Sequence, residues 1–119
     1  MAFPTGSGSE RLKRVSHQFN GNSQTSPTND YNILNGVALH IYIIISKSCF
    51  NTFPGARDCI VNIKQDGSTL RKIFKQSVGQ DQTFIWNERL VLEGTDELYV
   101  FSNGNASEWW ISYIDQDWT

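Results

Sequence analysis

Apolar and polar residues along this chain alternate in short segments separated by turn residues. Seven segments are rich in β-branched and aromatic residues or repeat with a period of two, which is typical of strands. They cover residues 11–19, 37–50, 59–65, 69–77, 83–92, 97–102 and 108–114. Turn signals recur about every ten residues, and no segment has a helical period. The pattern predicts an all-β fold, either an antiparallel β-sandwich or a small jelly-roll-like barrel.

The segments between the strands carry recognisable turn chemistry. Pro54-Gly55 predicts a turn after the longest strand, and Asp66-Gly67 predicts a tight hairpin. Residues 20–30 form a polar stretch with Gly, Pro and Asn, which predicts a long loop. Residues 1–9 are small, polar and rich in Gly and Ser, so we expect a flexible arm, followed by one β-sandwich domain over residues 10–119.

The two cysteines leave two interpretations open. If the Pro54 turn makes a hairpin, Cys49 and Cys59 stand opposite each other and are close enough for a disulfide. Two small buried thiols in a reducing cytoplasm are the interpretation that we favour.

Several predicted strands are apolar on both faces. In the last strand Trp109 and Tyr113 point to one side and Trp110 to the other, and both sides carry large apolar groups. A chain of 119 residues has one core, so we expect the second apolar face to meet another subunit. The alternative is that the arm and the long loop fold over that face.

Composition excludes some partners. The formal net charge of −2 gives no electrostatic reason to expect a nucleic-acid partner. The first residues lack the apolar segment of a signal peptide, and the longest apolar run, in residues 40–45, is too short to span a bilayer. From these features we expect a soluble protein made in a cytoplasm.

The sequence offers no recognisable catalytic or cofactor-binding constellation. His17 and His40 are the two histidines, and each lies in a predicted strand, where a structural role is the simpler interpretation. Asp115 and Asp117 have too few neighbouring oxygen ligands for a calcium loop, so we predict no metal site. We therefore expect a non-enzymatic protein without a cofactor.

The ending "LVLEGTDELYVFSNGNASEWWISYI" resembles the close of many small β-sandwich structural proteins of tailed bacteriophages, where a "VLEAGDSL"-like turn joins two strands. "HIYIIISKSC" is similar to their opening strand and "VNIKQDGSTLRKIF" to their central hairpin. "MAFPTGSGSERLKRV" resembles the leader of such proteins in marine phages, especially cyanophages. The distinctive parts are "LVLEGTDEL" and "FPTGSGSE", whereas "EWWISYIDQDW" is more aromatic than the usual final strand.

This resemblance implies a virion structural protein, located in a particle that is assembled in the host cytoplasm. The favoured role is a capsid decoration or cement protein that binds the major capsid protein as a homo-oligomer, with a trimer as one possibility. The alternative is a tail, collar or fibre component, including a carbohydrate-binding adsorption module. No nucleic acid or membrane is implied. The predicted contact residues are Phe3, Pro4, Trp109, Trp110, Tyr113 and Trp118.

Overall fold

A computed structural model describes residues 9–19, 30–52, 54–102 and 107–118 of the chain. In these ranges the chain forms nine strands and no helix. The strands are β1 (Ser9–Phe19), β2 (Tyr31–Asn35), β3 (His40–Asn51), β4 (Arg57–Lys64), β5 (Leu70–Val78), β6 (Gln82–Trp86), β7 (Leu90–Glu93), β8 (Glu97–Ser102) and β9 (Ser107–Asp117).

The strands form two antiparallel sheets packed as a sandwich. Sheet A has the order β1-β9-β3-β6, with β7 also paired to β3, and sheet B has the order β2-β8-β4-β5. The pairs are nested, since β4 pairs β5, β3 pairs β6 and β7, β2 pairs β8 and β1 pairs β9. A long hairpin rolled up in this way is the jelly-roll arrangement. The predicted sandwich is confirmed, and the described strands do not close into a barrel.

The core lies between the sheets and is built by the inward-facing half of each alternating strand. Trp109, Ile111 and Tyr113 of β9 all point inward, and Leu98 and Val100 of β8 do the same from the other sheet. Ile44, Val61, Leu92 and Phe19 are among the other side chains buried there. The sequence predicted that Trp109 and Tyr113 share one face of β9 and Trp110 the other, and the structure shows that the face of Trp109 and Tyr113 is the inner one.

The short hairpin between β4 and β5 also follows the prediction. Asp66 and Gly67 have φ values of 48° and 78°, and the Ser68 N–H donates to the Gln65 carbonyl at 2.9 Å. Positive φ at both central residues is the type I′ geometry that Asp-Gly favours, because it matches the twist of the flanking strands.

Two strand assignments were incomplete. The predicted strand over residues 83–92 is two strands, β6 and β7, which pair with different halves of β3. The break faces a register shift in β3 between Ile44 and Ser46, where the Ser46 hydroxyl donates to Asn87. β2 was not predicted, because it has five residues and a register shift of its own.

The region around the two cysteines differs from the expected hairpin. β3 and β4 belong to different sheets, so the Pro54-Gly55 segment carries the chain across the sandwich. Cys49 and Cys59 meet in the core with Cα atoms 6.9 Å apart, and a disulfide joins them. The favoured interpretation, two free thiols, was therefore wrong, and the bond links the sheets.

The N-terminal arm and the long loop fall mostly outside the described ranges. β1 begins at Ser9, the last residue of the predicted arm. Residues 1–8 and 20–29 are not described.

Candidate interaction surface

The outer face of sheet A carries a line of four aliphatic side chains in register. Leu12 of β1 pairs with Ile114 of β9, Ile114 pairs with Ile43 of β3, and Ile43 pairs with Val91 of β7. Directly paired residues point to the same side of an antiparallel sheet, so the four side chains lie next to one another. We call this set the aliphatic row. It crosses the sheet at right angles to the strands.

The aliphatic row is open to solvent. Leu12 is 74% exposed and Val91 is 53% exposed, while Ile43 and Ile114 between them are partly buried. A row further along the strands carries Trp110, which is 45% exposed, and Ile85, which is 56% exposed. The outer face of sheet A therefore presents the aliphatic row and, beyond a polar row with Arg14 and Ser112, the separate apolar side chains of Trp110 and Ile85.

Charged groups frame the aliphatic row. On one side, Glu10 of β1 and Glu93 of β7 lie in the neighbouring row, and Gln116 donates to Glu10 at 2.7 Å. On the other side, Arg14 of β1 places its guanidinium carbon 4.8 Å from the centroid of the Trp110 ring, a cation–π contact. The face is acidic on one side of the row and basic on the other.

The outer face of sheet B has a different character. Asn32, Tyr99, Asn62 and Lys72 form one row across its four strands. Lys75 of the same face lies 3.7 Å from Asp58, and Lys64 contacts the ring of Tyr99. This is the polar, solvated face expected of a sandwich, although Ile60 and Phe101 on it are less than 10% exposed.

Five of the six predicted contact residues separate into three groups. Trp109 is 2% exposed and Tyr113 is 6% exposed, so both belong to the core of the chain. Trp110 lies on the outer face of sheet A. Phe3 and Pro4 lie outside the described residues.

Trp118 lies just past β9 and is partly buried. Its backbone N–H donates to the Leu39 carbonyl at 3.0 Å, which anchors the chain after β9 beside the start of β3. Its indole N–H is buried and has no hydrogen-bond partner among the described residues. Contact roles for Trp110 and Trp118 remain predictions.

The inner side of sheet A ends in a cluster of charged groups around Asp115. The Asp115 carboxylate accepts a hydrogen bond from Lys13 at 2.9 Å and lies 2.7 Å from Nδ1 of His40. Nε2 of His40 lies 3.3 Å from Asp117. Burial by itself raises the pKa of the Asp115 carboxyl, but the Lys13 and His40 contacts outweigh it and hold that pKa below its usual value. The cluster ties β1, β3 and β9 together.

Lys47 is a second charged group on the inner side of sheet A. It is 1% exposed, donates to the Glu88 carbonyl at 2.7 Å, and lies 4.4 Å from the centroid of the Trp86 ring. Burial lowers the pKa of its ammonium group to about 8, although Glu88 opposes the shift. The fold therefore encloses Lys47 almost completely.

His17 packs against aromatic rings. Its imidazole stacks on Tyr31 with ring centroids 3.5 Å apart and meets the edge of Phe19. Burial lowers its pKa, so the neutral ring is favoured. The Tyr31 contact joins β1 of sheet A to β2 of sheet B.

Within the described ranges, no group of three or more His, Cys, Asp or Glu side chains is arranged to hold a metal ion. The same residues include no helix long and apolar enough to cross a bilayer.

Sequence patterns alone do not reveal the aliphatic row. Alternation placed Ile114 on the same side of β9 as Trp110, but nothing local aligned it with Leu12, Ile43 and Val91. Their alignment depends on pairing between residues up to 102 positions apart, from Leu12 to Ile114. The exposed Leu12 in a charged strand was the available signal.

Comparison with known proteins supports the fold. No family model matches the chain, and no curated protein matches it. Among solved structures, a chain of the T13 particle of infectious bursal disease virus has the same fold, with a TM-score of 0.56 and 15% sequence identity. The match covers 91% of this chain and 31% of the viral chain, so the protein spans about a third of that chain's length.

Two other structures are less similar. The globular domain of zebrafish complement 1qA gives a TM-score of 0.46 at 10% identity, over 84% of this chain and 94% of that domain. A virus-like particle of the extra small virus of the prawn Macrobrachium rosenbergii gives a TM-score of 0.37 at 7% identity. That match covers 98% of this chain and 84% of the viral chain.

Proposed function

We propose that this chain is a non-enzymatic structural protein of a virus particle. The observation that carries the proposal is the fold shared with a chain of an icosahedral virus particle over 91% of this sequence. The apolar outer face of sheet A adds support, because a surface of that kind suits a permanent contact between subunits.

The finer proposal is a capsid decoration or cement protein of a tailed bacteriophage, in line with the resemblance of "LVLEGTDEL" and "FPTGSGSE". Such a protein acts mechanically. It buries additional area across the seams between capsid subunits, and each buried aromatic anchor contributes on the order of 2 kcal/mol or more. Repetition over the shell makes the summed stabilisation large.

The test uses virus particles that lack this protein, to which the purified chain is added back. Binding is measured by co-sedimentation, and the heat resistance of the particles is measured in the same samples. A decoration protein binds the shell and raises the temperature at which particles release their genome. If electron microscopy places the protein on the tail or fibres, the alternative role is correct. Failure to bind any part of the particle contradicts the proposal.

Deletion of Trp118 and Thr119 examines the predicted C-terminal anchor, with deletion of Thr119 alone as the matched control. We expect the shorter chain to remain folded and to bind particles at least tenfold more weakly, because one aromatic anchor is worth more than 1.4 kcal/mol. Unchanged binding would exclude Trp118 as the anchor. Binding to host glycans in place of particles would favour an adsorption module.

A further inference from the structure

The outer face of sheet A is complementary to itself. The aliphatic row crosses it near one end of β1, β3 and β9, and the acidic and basic side chains lie on opposite sides of that row. We propose that this face binds the same face of a second copy of the chain, with the twofold axis lying along the aliphatic row. The inference goes beyond the proposed function and does not depend on it.

The charges on β1 fit this arrangement. Glu10 and Arg14 lie two residues before and two residues after Leu12, so all three side chains point to the outer face. A twofold rotation about the row exchanges its two sides while keeping β1 opposite β1. Glu10 then faces Arg14 of the second copy, and Arg14 faces Glu10.

The other end of the row repeats the arrangement. Glu93 lies two residues after Val91, and the exposed Arg89 lies two residues before it, immediately ahead of β7. The same rotation brings Glu93 opposite Arg89 of the second copy. Opposite charges therefore meet at both ends of the row, and each pair occurs twice in the dimer.

The other symmetric way to stack these faces is unfavourable. A twofold axis along the strands would place β1 over β7, which brings Glu10 opposite Glu93 of the second copy and Arg14 opposite Arg89. Like charges held together across an interface cost free energy and reject that orientation. Charge placement thus selects the axis along the row.

The available area suits a weak dimer. Leu12, Ile43 and Ile114 each lie close to one end of their strand, so rotation about the row leaves about seven residues of each strand, roughly 24 Å, overlapping between the two copies. Four strands about 4.8 Å apart are roughly 20 Å wide, so the contact covers on the order of 500 Å² per copy, less than the roughly 800 Å² per partner of a standard interface. Sheets stacked face to face lie about 10 Å apart, so facing side chains can interdigitate.

The first experiment measures the mass of the purified protein by sedimentation equilibrium from micromolar to millimolar concentration. We expect the mass to approach twice the chain mass of 13.5 kDa at the highest concentrations. Leu12→Asp removes the most exposed contact, at the β1 end of the row, and since Leu12 is 74% exposed in the single chain, the variant still folds. Its dimer dissociation constant should rise more than 100-fold. Lys72→Asp, on the outer face of sheet B, is the control and should leave the mass unchanged. A monomer at all concentrations, a trimer, or a dimer indifferent to Leu12→Asp would overturn the proposal.

A charge exchange tests the orientation. Glu10→Arg places Arg opposite Arg14 at two symmetric positions, and Arg14→Glu places Glu opposite Glu10, so each should weaken the dimer about tenfold. The double variant restores opposite charges and should bind within about threefold of the wild type. If the double variant dimerises as weakly as the single variants, the proposed arrangement is wrong.

Cross-linking tests the axis independently. Cys49 and Cys59 are bonded and buried, so an introduced cysteine is the reactive thiol. With the axis along the row, Leu12→Cys chains join to one another through a short bismaleimide, and so do Val91→Cys chains. If cross-links formed only in a mixture of the two variants, the axis would lie along the strands and the proposed dimer would be wrong.

Discussion

The two sheets of this sandwich distribute their polar and apolar residues in opposite ways. Sheet B follows the usual plan more closely, with Val61, Leu98 and Val100 inside and the exposed Lys72 and Lys75 outside. Sheet A carries the aliphatic row outside, and its inner face holds the two buried charged side chains of the described strands, Lys47 and Asp115. An exposed apolar face and enclosed charges both cost stability in an isolated chain. The comparison therefore supports the proposed contact through the outer face of sheet A.

The largest expected difference in stability is between truncations of the two adjacent tryptophans, one on the inner and one on the outer face of sheet A. Trp109→Ala removes a side chain that is 2% exposed and leaves a cavity, so we expect a loss of about 4 kcal/mol in unfolding free energy. Trp110→Ala on the outer face should cost less than about 1 kcal/mol in the monomer. Denaturant unfolding of both variants in the Leu12→Asp background keeps association from contributing. Equal losses would show that both faces of β9 are core.

Removal of the disulfide should lower the unfolding free energy, because the bond links the two sheets covalently. The bond between Cys49 and Cys59 closes a loop of about ten residues, so the chain-entropy treatment gives about 3 kcal/mol. We expect the Cys49→Ala, Cys59→Ala double variant to unfold at lower denaturant by that amount. The wild type measured under strongly reducing conditions should match the variant. If oxidised and reduced protein unfold alike, the link contributes nothing.

Lys47 makes the stability of sheet A depend on pH. Because the folded-state pKa is about 8, below the ordinary value of 10.5, the unfolded chain binds more protons between these pH values. The unfolding free energy should therefore rise with pH over this range, by up to about 3 kcal/mol relative to Lys47→Met. Lys72→Met, on the outer face of sheet B, is the control. Its unfolding free energy should change with pH as that of the wild type does. Parallel profiles for wild type and Lys47→Met would rule out the lowered pKa.

Loss of a carboxylate should lower the unfolding free energy more in sheet A than in sheet B, although the difference is smaller than for the changes above. Asp115→Asn disrupts contacts of a buried group to Lys13 and His40 and should cost about 2 kcal/mol at pH 7. Asp58→Asn, near the exposed Lys75 of sheet B, should cost less than about 1 kcal/mol.

The sign of the pH dependence follows from the lowered pKa of Asp115. Its ionised form stabilises the fold above the ordinary carboxyl pKa, about 3.9, and that contribution is lost as the pH falls through the lower folded-state value. The difference between wild type and Asp115→Asn should therefore shrink in acid. A difference that is constant from pH 7 to pH 2 would mean that the charge is unimportant.

Local sequence was sufficient for much of the strand pattern. Alternation and β-branched residues located β1, β3, β4, β5, β8 and β9, and Asp66-Gly67 identified the tight hairpin. It was insufficient for β2 and for the separation of β6 from β7, because a short strand and a break opposite a register shift depend on the partner strand. The cysteine pair shows the same limit, since the turn chemistry of Pro54-Gly55 does not specify which sheet the chain enters next.

By itself, the sequence determined the all-β class, the division of the β9 side chains between two faces, and the presence of strands that are apolar on both faces. Only the tertiary structure decided that Leu12, Ile43, Val91 and Ile114 stand side by side, framed by Glu10 and Arg14. The reason is physical. Alternation is a property of one strand and is written in adjacent residues, whereas register is a relation between strands that only pairing across the sheet establishes.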